Sequence, residues 1–258
     1  MRSVCTESVL IPGASERSAL RRKAHNHTCS TRRLRTIRNA IATRVMPRVL
    51  YCHGLESGPL GYKVRELRKQ GFDVTAPAMS MSIYNPLEKN SLIRSLINPL
   101  SLVTRWPTQW LPCAMDDSFA ACVDVMRQSI KADNNFDVLC GSSWGGAVSC
   151  AIIAESTWTG PAVLLCPALA TKERWVGGSM EYSAESITAK LAALPAERKA
   201  RLLLVHGAAD TTVPLDDSQR LAEATGIQLE LVEGGSHGLG SIVKDGRLAE
   251  WLRRVTQR

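Results

Sequence analysis

The chain has 258 residues, 45% of them hydrophobic, which suffices for one sizeable core, and no apolar run approaches the roughly 18 residues of a membrane span. Aromatic residues make up 5%, leaving little for a base-stacking platform. The formal charge of +8 is localised: residues 1–48 hold 11 Lys and Arg against Glu7 and Glu16, a net +9, while the rest holds 21 bases against 22 acids, a net −1. No nucleic-acid groove is therefore expected in the folded part.

Residues 1–46 are rich in Arg, Ser and Thr, almost free of acid, and lack sustained hydrophobic periodicity. Such a segment cannot bury enough apolar surface to order itself, so a disordered basic tail is expected here and a single domain over 47–258. The same composition describes a mitochondrial or plastid transit peptide. Met46 directly before the first strand-like run fits an upstream extension equally well. Both readings stand.

From residue 48 the pattern is regular. "RVLYC" (48–52) predicts a buried strand, "LGYKVRELRKQG" (60–71) a helix and "FDVTAPA" (72–78) a second strand. Residues 79–115 read as irregular, with Pro86, Pro99, Pro107 and Pro112 interrupting any long helix. Their apolar residues, among them Leu92, Leu96, Trp106 and Trp110, suit either core completion or a cap beside a site. Phe119, Val123 and Met126 recur on one face of a helix at about 117–132. A strand (136–140), a Gly-Ser turn, a helix (145–155) and a strand (162–166) follow. The stretch 170–200 reads as mostly helical, then "RLLLVHG" (201–207) as a strand, 216–225 as a helix, "IQLELV" (227–232) as a strand and "DGRLAEWLRRV" as the closing helix. Six short apolar strands alternating with helices predict an α/β fold with a mostly parallel sheet covered on both faces.

The eight cysteines show no CxxC pair and no zinc spacing. Cys52, Cys140 and Cys166 sit in apolar runs as small buried hydrophobes. Scattered thiols suit a reducing compartment, so a cytoplasmic location is expected, or mitochondrial or plastid if the tail directs import. With no dinucleotide fingerprint either, no cofactor and no metal are expected.

In an open α/β sheet, ligands bind beyond the carboxyl ends of strands. Three such ends carry candidates. In "DVLCGSSWGGAVSCAIIAE" (137–155) only Ser143 has glycines two residues before and after it, Gly141 and Gly145. Gly-x-Ser-x-Gly alone arises by chance in roughly one chain in ten of this length. Placement between strand and helix is what gives it weight, because a nucleophile elbow needs both. A serine hydroxyl needs a base to take its proton. His237, in "EGGSHGLG", lies in a glycine-flanked loop beyond the last strand, whereas His53 and His206 read as rings orienting the loops that follow them. The base in turn needs an acid, and Asp210 in "VHGAADTTVP" supplies one, with Glu173 as a fallback and Asp216 and Asp217 as helix N-terminal residues. Oxyanion donors would be the backbone N–H of Trp144, after the serine, and of Leu55, in the turn after the first strand.

Taken together, "HGLESGP", "GSSWGG", "HGAADTTVP" and "EGGSHG" resemble the α/β-hydrolase superfamily, in particular its small esterases of the YqiA type, which also resemble serine aminopeptidase-like hydrolases. The likeness covers about residues 48–256 and implies a minimal α/β-hydrolase fold of about six strands, without the two leading antiparallel strands of the full fold. It implies Ser143 as nucleophile, Asp210 as acid, His237 as base, and Leu55 and Trp144 as oxyanion donors. The expected partner is a small, largely apolar carboxylic ester, since no cluster of charges marks a phosphate or carboxylate pocket. A peptidase or amidase of the same fold, or a non-catalytic binding protein, is the alternative.

Overall fold

A computed structural model describes residues 46–55, 57–79, 111–176 and 182–258, without the side chains of 111–117, 175 and 176. The basic tail and most of the apolar segment expected at 79–115 lie outside these residues.

Six strands form one parallel sheet: β1 (Arg48–Cys52), β2 (Asp73–Thr75), β3 (Val138–Ser142), β4 (Ala162–Leu165), β5 (Leu202–Gly207) and β6 (Gln228–Val232), in the order β2-β1-β3-β4-β5-β6. Their side chains alternate between faces. Leu50, Cys52, Leu139, Leu164 and Leu204 enter one core cluster, and Val49, Tyr51, Val138, Cys140 and Val205 enter the other. Every residue of β3, β4 and β5 is buried, whereas the edge strands β2 and β6 are each partly exposed, at Asp73 and Thr75 and at Gln228 and Leu231. That difference explains why the central strands read as unbroken apolar runs.

Helices α1 (Tyr62–Lys69), α2 (Leu111–Ala132), α3 (Trp144–Ala154), α4 (Leu169–Val176), α5 (Ala184–Ala192), α6 (Ala196–Lys199), α7 (Leu215–Thr225), α8 (Gly240–Lys244) and α9 (Arg247–Thr256) are arranged around the sheet. The first cluster takes Phe119 and Met126 of α2, Ala147 and Ile152 of α3, Leu191 of α5 and Leu221 of α7. The second takes Val64 and Leu67 of α1, Ile242 of α8, and Leu248, Trp251, Leu252 and Val255 of α9, with Met46 packed against it. In α9 the buried positions recur at intervals of three and four, the apolar stripe that drives docking.

Helix α2 starts at Leu111, six residues before the sequence suggests. Pro112 therefore stands in its first turn, where the missing N–H has no intrahelical acceptor to lose. The stretch read as mostly helical divides into α4, α5 and α6 among the described residues. Helix α8, in the segment after His237, has no counterpart in the sequence reading.

From β1 the chain moves outward to β2, then returns to place β3 on the other side of β1. The strand order reverses here. Crossovers leave to opposite faces at that point and open a crevice at the carboxyl ends of β1 and β3. Cys52 and Ser142 end those two strands.

Candidate active site

A sharp turn follows β3. Ser143 has φ 57° and ψ −119°, and α3 begins at the next residue. A non-glycine residue at positive φ is strained and persists only where its surroundings hold it. Here the Ser143 N–H donates to the Leu165 carbonyl at 2.8 Å, and the Ser143 carbonyl accepts from Ala147 N at 3.0 Å and Ala168 N at 3.1 Å.

Both flanking glycines are required by space. A Cβ on Gly145 would lie 2.2 Å from the Cys52 carbonyl oxygen and 2.4 Å from that of His53. One on Gly141 would lie 2.3 Å from Ser149 Oγ and 2.7 Å from the Gly145 carbonyl oxygen. The end of β1 and the start of α3 thus meet backbone to backbone. Gly54 is also close to this turn, since a Cβ there would lie 3.1 Å from the Ser142 carbonyl oxygen and from Ser143 Cβ.

Asp210 occupies the loop between β5 and α7, its side chain fully buried. Oδ1 accepts from the Thr212 and Val213 amides at 2.8 and 2.9 Å, and Oδ2 accepts from His237 Nδ1 at 2.7 Å. The other ring nitrogen, His237 Nε2, stands 2.8 Å from Ser143 Oγ. With the proton on Nδ1 facing the carboxylate, Nε2 presents a lone pair and the serine hydroxyl donates to it. Burial by itself would raise the Asp210 pKa, but hydrogen bonds from His237, Val213 and Thr212 outweigh it and hold the carboxyl below its usual value.

The loops after β5 and β6 are locked together. The Ala208 and Ala209 amides donate to the Val232 and Gly235 carbonyls, both at 2.9 Å, and a Cβ on Gly207 would fall 2.3 Å from the Gly235 oxygen. His237 is thereby tied to the element that carries Asp210.

Behind the acid lies a second buried histidine. His206 Nε2 donates to the Val213 carbonyl at 3.0 Å and stands 3.4 Å from Asp210 Oδ2, and Nδ1 accepts from Ser218 Oγ at 2.7 Å. Burial lowers its pKa, so the neutral ring pins the Asp210 loop to α7, the loop-orienting role read from the sequence. His53 Nδ1 likewise donates to the adjacent Gly54 carbonyl at 3.2 Å. Cys166, at φ 43°, completes this packing, and burial pushes its thiol up to about 12. The ligand atoms of Cys166, His206 and Asp210 lie within 4.8 Å of one another. A protonated thiol and a ring committed at both nitrogens make this the support of a carboxylate rather than a metal centre.

The remaining candidates separate clearly. Ser142 ends β3 and is 6% exposed. The Glu173 carboxylate accepts from the Ala184 amide at the start of α5, so it is engaged away from His237. Asp216 and Asp217 stand in the first turn of α7, as expected, and Asp217 pairs with Arg174 and Thr171. Trp144 is the first residue of α3, so its N–H is among the amides without an intrahelical acceptor. Leu55, two residues after His53 in the turn beyond β1, lines the same cleft as Ser143 and His237. That cleft has a volume of about 380 Å³ and is also lined by Tyr51, Tyr62 and Lys63.

A parallel six-stranded sheet with a serine at a strand–turn–helix junction places the molecule in the α/β-hydrolase fold class. Solved structures agree on the fold. A protein of Xanthomonas campestris assigned to the alpha/beta hydrolase superfamily is 20% identical, with a TM-score of 0.51 over 83% of this chain and 100% of its own. A protein of Thermus thermophilus is 16% identical, with a TM-score of 0.53 over 83% and 91%. The esterase domain of a Rhodothermus marinus protein is 16% identical, with a TM-score of 0.51 over 82% and 88%. No curated protein matches the chain. The family model described as Serine hydrolase (FSH1) matches residues 65–238, two thirds of the sequence and a span that takes in Ser143, Asp210 and His237. The chain belongs to this serine hydrolase family, and its activity is that of a hydrolase.

Proposed function

We propose that the chain hydrolyses small, largely apolar carboxylic esters through an acyl-enzyme on Ser143, with His237 as general base and Asp210 as its acid. The observation that carries this reading is the unbroken hydrogen-bonded series Asp210 Oδ2–His237 Nδ1, at 2.7 Å, and His237 Nε2–Ser143 Oγ, at 2.8 Å. Ser143 Oγ attacks the ester carbonyl carbon while its proton passes to His237 Nε2. The imidazolium so formed is stabilised by the Asp210 carboxylate, which stays ionised. Charge developing on the carbonyl oxygen is met by the Leu55 and Trp144 N–H groups, each of which can lower the barrier by about 3 kcal/mol. Collapse of the tetrahedral intermediate expels the alcohol, which takes the proton from His237. Water, deprotonated by His237, then releases the acid and restores Ser143.

Support for an apolar substrate comes from Leu55 and Tyr62, which line the cleft, Tyr62 being 38% exposed. The test is hydrolysis of 4-nitrophenyl butyrate by Ser143→Ala and Ser142→Ala. The first should lose about 10⁴-fold or more in kcat/KM with its melting temperature kept, and the second should lose little. Loss in Ser142→Ala with retention in Ser143→Ala would reassign the nucleophile. Faster cleavage of the matching anilide would move the chain to the amidase branch.

A further inference from the structure

Helix α1 carries four cations, and three of them face outward. Arg65 is exposed, Arg68 donates to the Val74 carbonyl at 2.7 Å, and Lys69 pairs with Glu66 at 2.7 Å. Lys63 differs. It precedes the buried Val64, is itself half-buried, and lines the cleft that holds Ser143 and His237. Among the described residues its ammonium has neither a hydrogen bond nor an ion pair. Burial lowers its pKa, and the ionisable groups that oppose this shift are the Cys140 and Cys166 thiols. Burial pushes both thiols up to about 12, so neither offers a counter-charge at neutral pH.

An ammonium withdrawn from water without a counterion is unfavourable, and proteins keep such groups where a ligand supplies the opposite charge. Its position sharpens the point. Lys63 is in the first turn of α1, which contains no acid, and there a cation opposes the helix dipole while an anion is favoured by it. We propose that the cleft takes esters bearing a carboxylate at one end, held by the Lys63 ammonium while the ester carbonyl lies at Ser143. The inference rests on the assignment of Ser143 as nucleophile and adds an anionic terminus to an otherwise apolar substrate.

Two pairs of esters test it and place the carboxylate. Mono-4-nitrophenyl adipate against 4-nitrophenyl hexanoate probes the acyl side, and 4-carboxyphenyl butyrate against phenyl butyrate probes the alcohol side. At least one carboxylate ester should exceed its neutral partner in kcat/KM by about tenfold, the order expected of a charge-assisted hydrogen bond. In Lys63→Met that preference should vanish through a rise in KM for the carboxylate ester, and Lys63→Arg should retain much of it. A preference that survives Lys63→Met, or none in the wild type, overturns the proposal. A binding measurement separates this outcome from failure of the Ser143 assignment. Monomethyl adipate titrated calorimetrically into Ser143→Ala should bind about tenfold more tightly than into Ser143→Ala/Lys63→Met. Equal affinity, or no binding to either, sinks the Lys63 proposal whatever the hydrolysis assays give.

Discussion

On one side of Ser143 the polar groups form a closed series: His237 bonds the serine and Asp210, Asp210 takes two further amides, and His206 ties that loop to Ser218. On another side, where α1 borders the cleft, Lys63 has no such partner among the described residues, and Tyr62 is 38% exposed. The first side is satisfied from within the chain and is fit to position reacting groups. The second leaves charge and apolar surface for something outside the chain to meet. The proposed machinery and the proposed recognition group thus border one cleft.

The strongest break in this contrast is Asp210→Asn. An amide cannot hold His237 in the required tautomer, so the ester hydrolysis rate should fall about 10³- to 10⁴-fold. Glu173→Gln, at a carboxylate that accepts from the Ala184 amide at the start of α5, should leave the rate near that of the wild type. A steady-state comparison of the two variants decides the matter, and the reverse ranking would move the acid to the α4 side.

Next in size is Gly145→Ala. Its Cβ would meet two backbone oxygens that cannot move aside without parting β1 from α3. A stability loss of about 3 kcal/mol is expected in urea unfolding, together with loss of activity. Gly238→Ala, where nothing lies within 4 Å of the added carbon, is the control and should unfold near the wild-type midpoint.

A smaller effect sharpens the polar side. The folded state holds the Asp210 pKa below its unfolded value, so this carboxylate adds stability above the unfolded pKa of about 3.9 and loses it as pH falls through the folded one. The stability gap between wild type and Asp210→Asn should therefore narrow on acidification. Melting curves from pH 7 to pH 3 measure it, and a gap that widens would contradict the role of the His237, Val213 and Thr212 hydrogen bonds. Deletion of residues 1–45 should do least of all. That segment carries the basic charge but no apolar pattern to dock, so rate and melting temperature should both hold.

The sequence disclosed most where hard-sphere constraints act. Ser143 stands out because its neighbours two residues away must lack side chains, and both glycines prove to lie against backbone. Central strands were legible because burial on two faces demands apolar runs. Asp210 and His237 were legible as loop residues after β5 and β6, but their hydrogen bonds depend on the contact of Gly207 with Gly235, which no local pattern encodes. The start of α2 was missed because proline reads as a breaker, although it is harmless in a first turn. Lys63 was missed for a related reason. In "YKVRELRK" it is one of four cations, and its place in the cleft lining follows from the packing of α1 against β2 and α8, which no local pattern encodes.

The central claim is that one serine, at residue 143, is activated by the series behind it. Brief treatment with a fluorophosphonate followed by peptide mass spectrometry tests this most directly. A single phosphonyl adduct on Ser143 is expected, formed fast in the wild type and lost in His237→Ala. An adduct on Ser142, or an unlabelled protein that still hydrolyses esters, would contradict it.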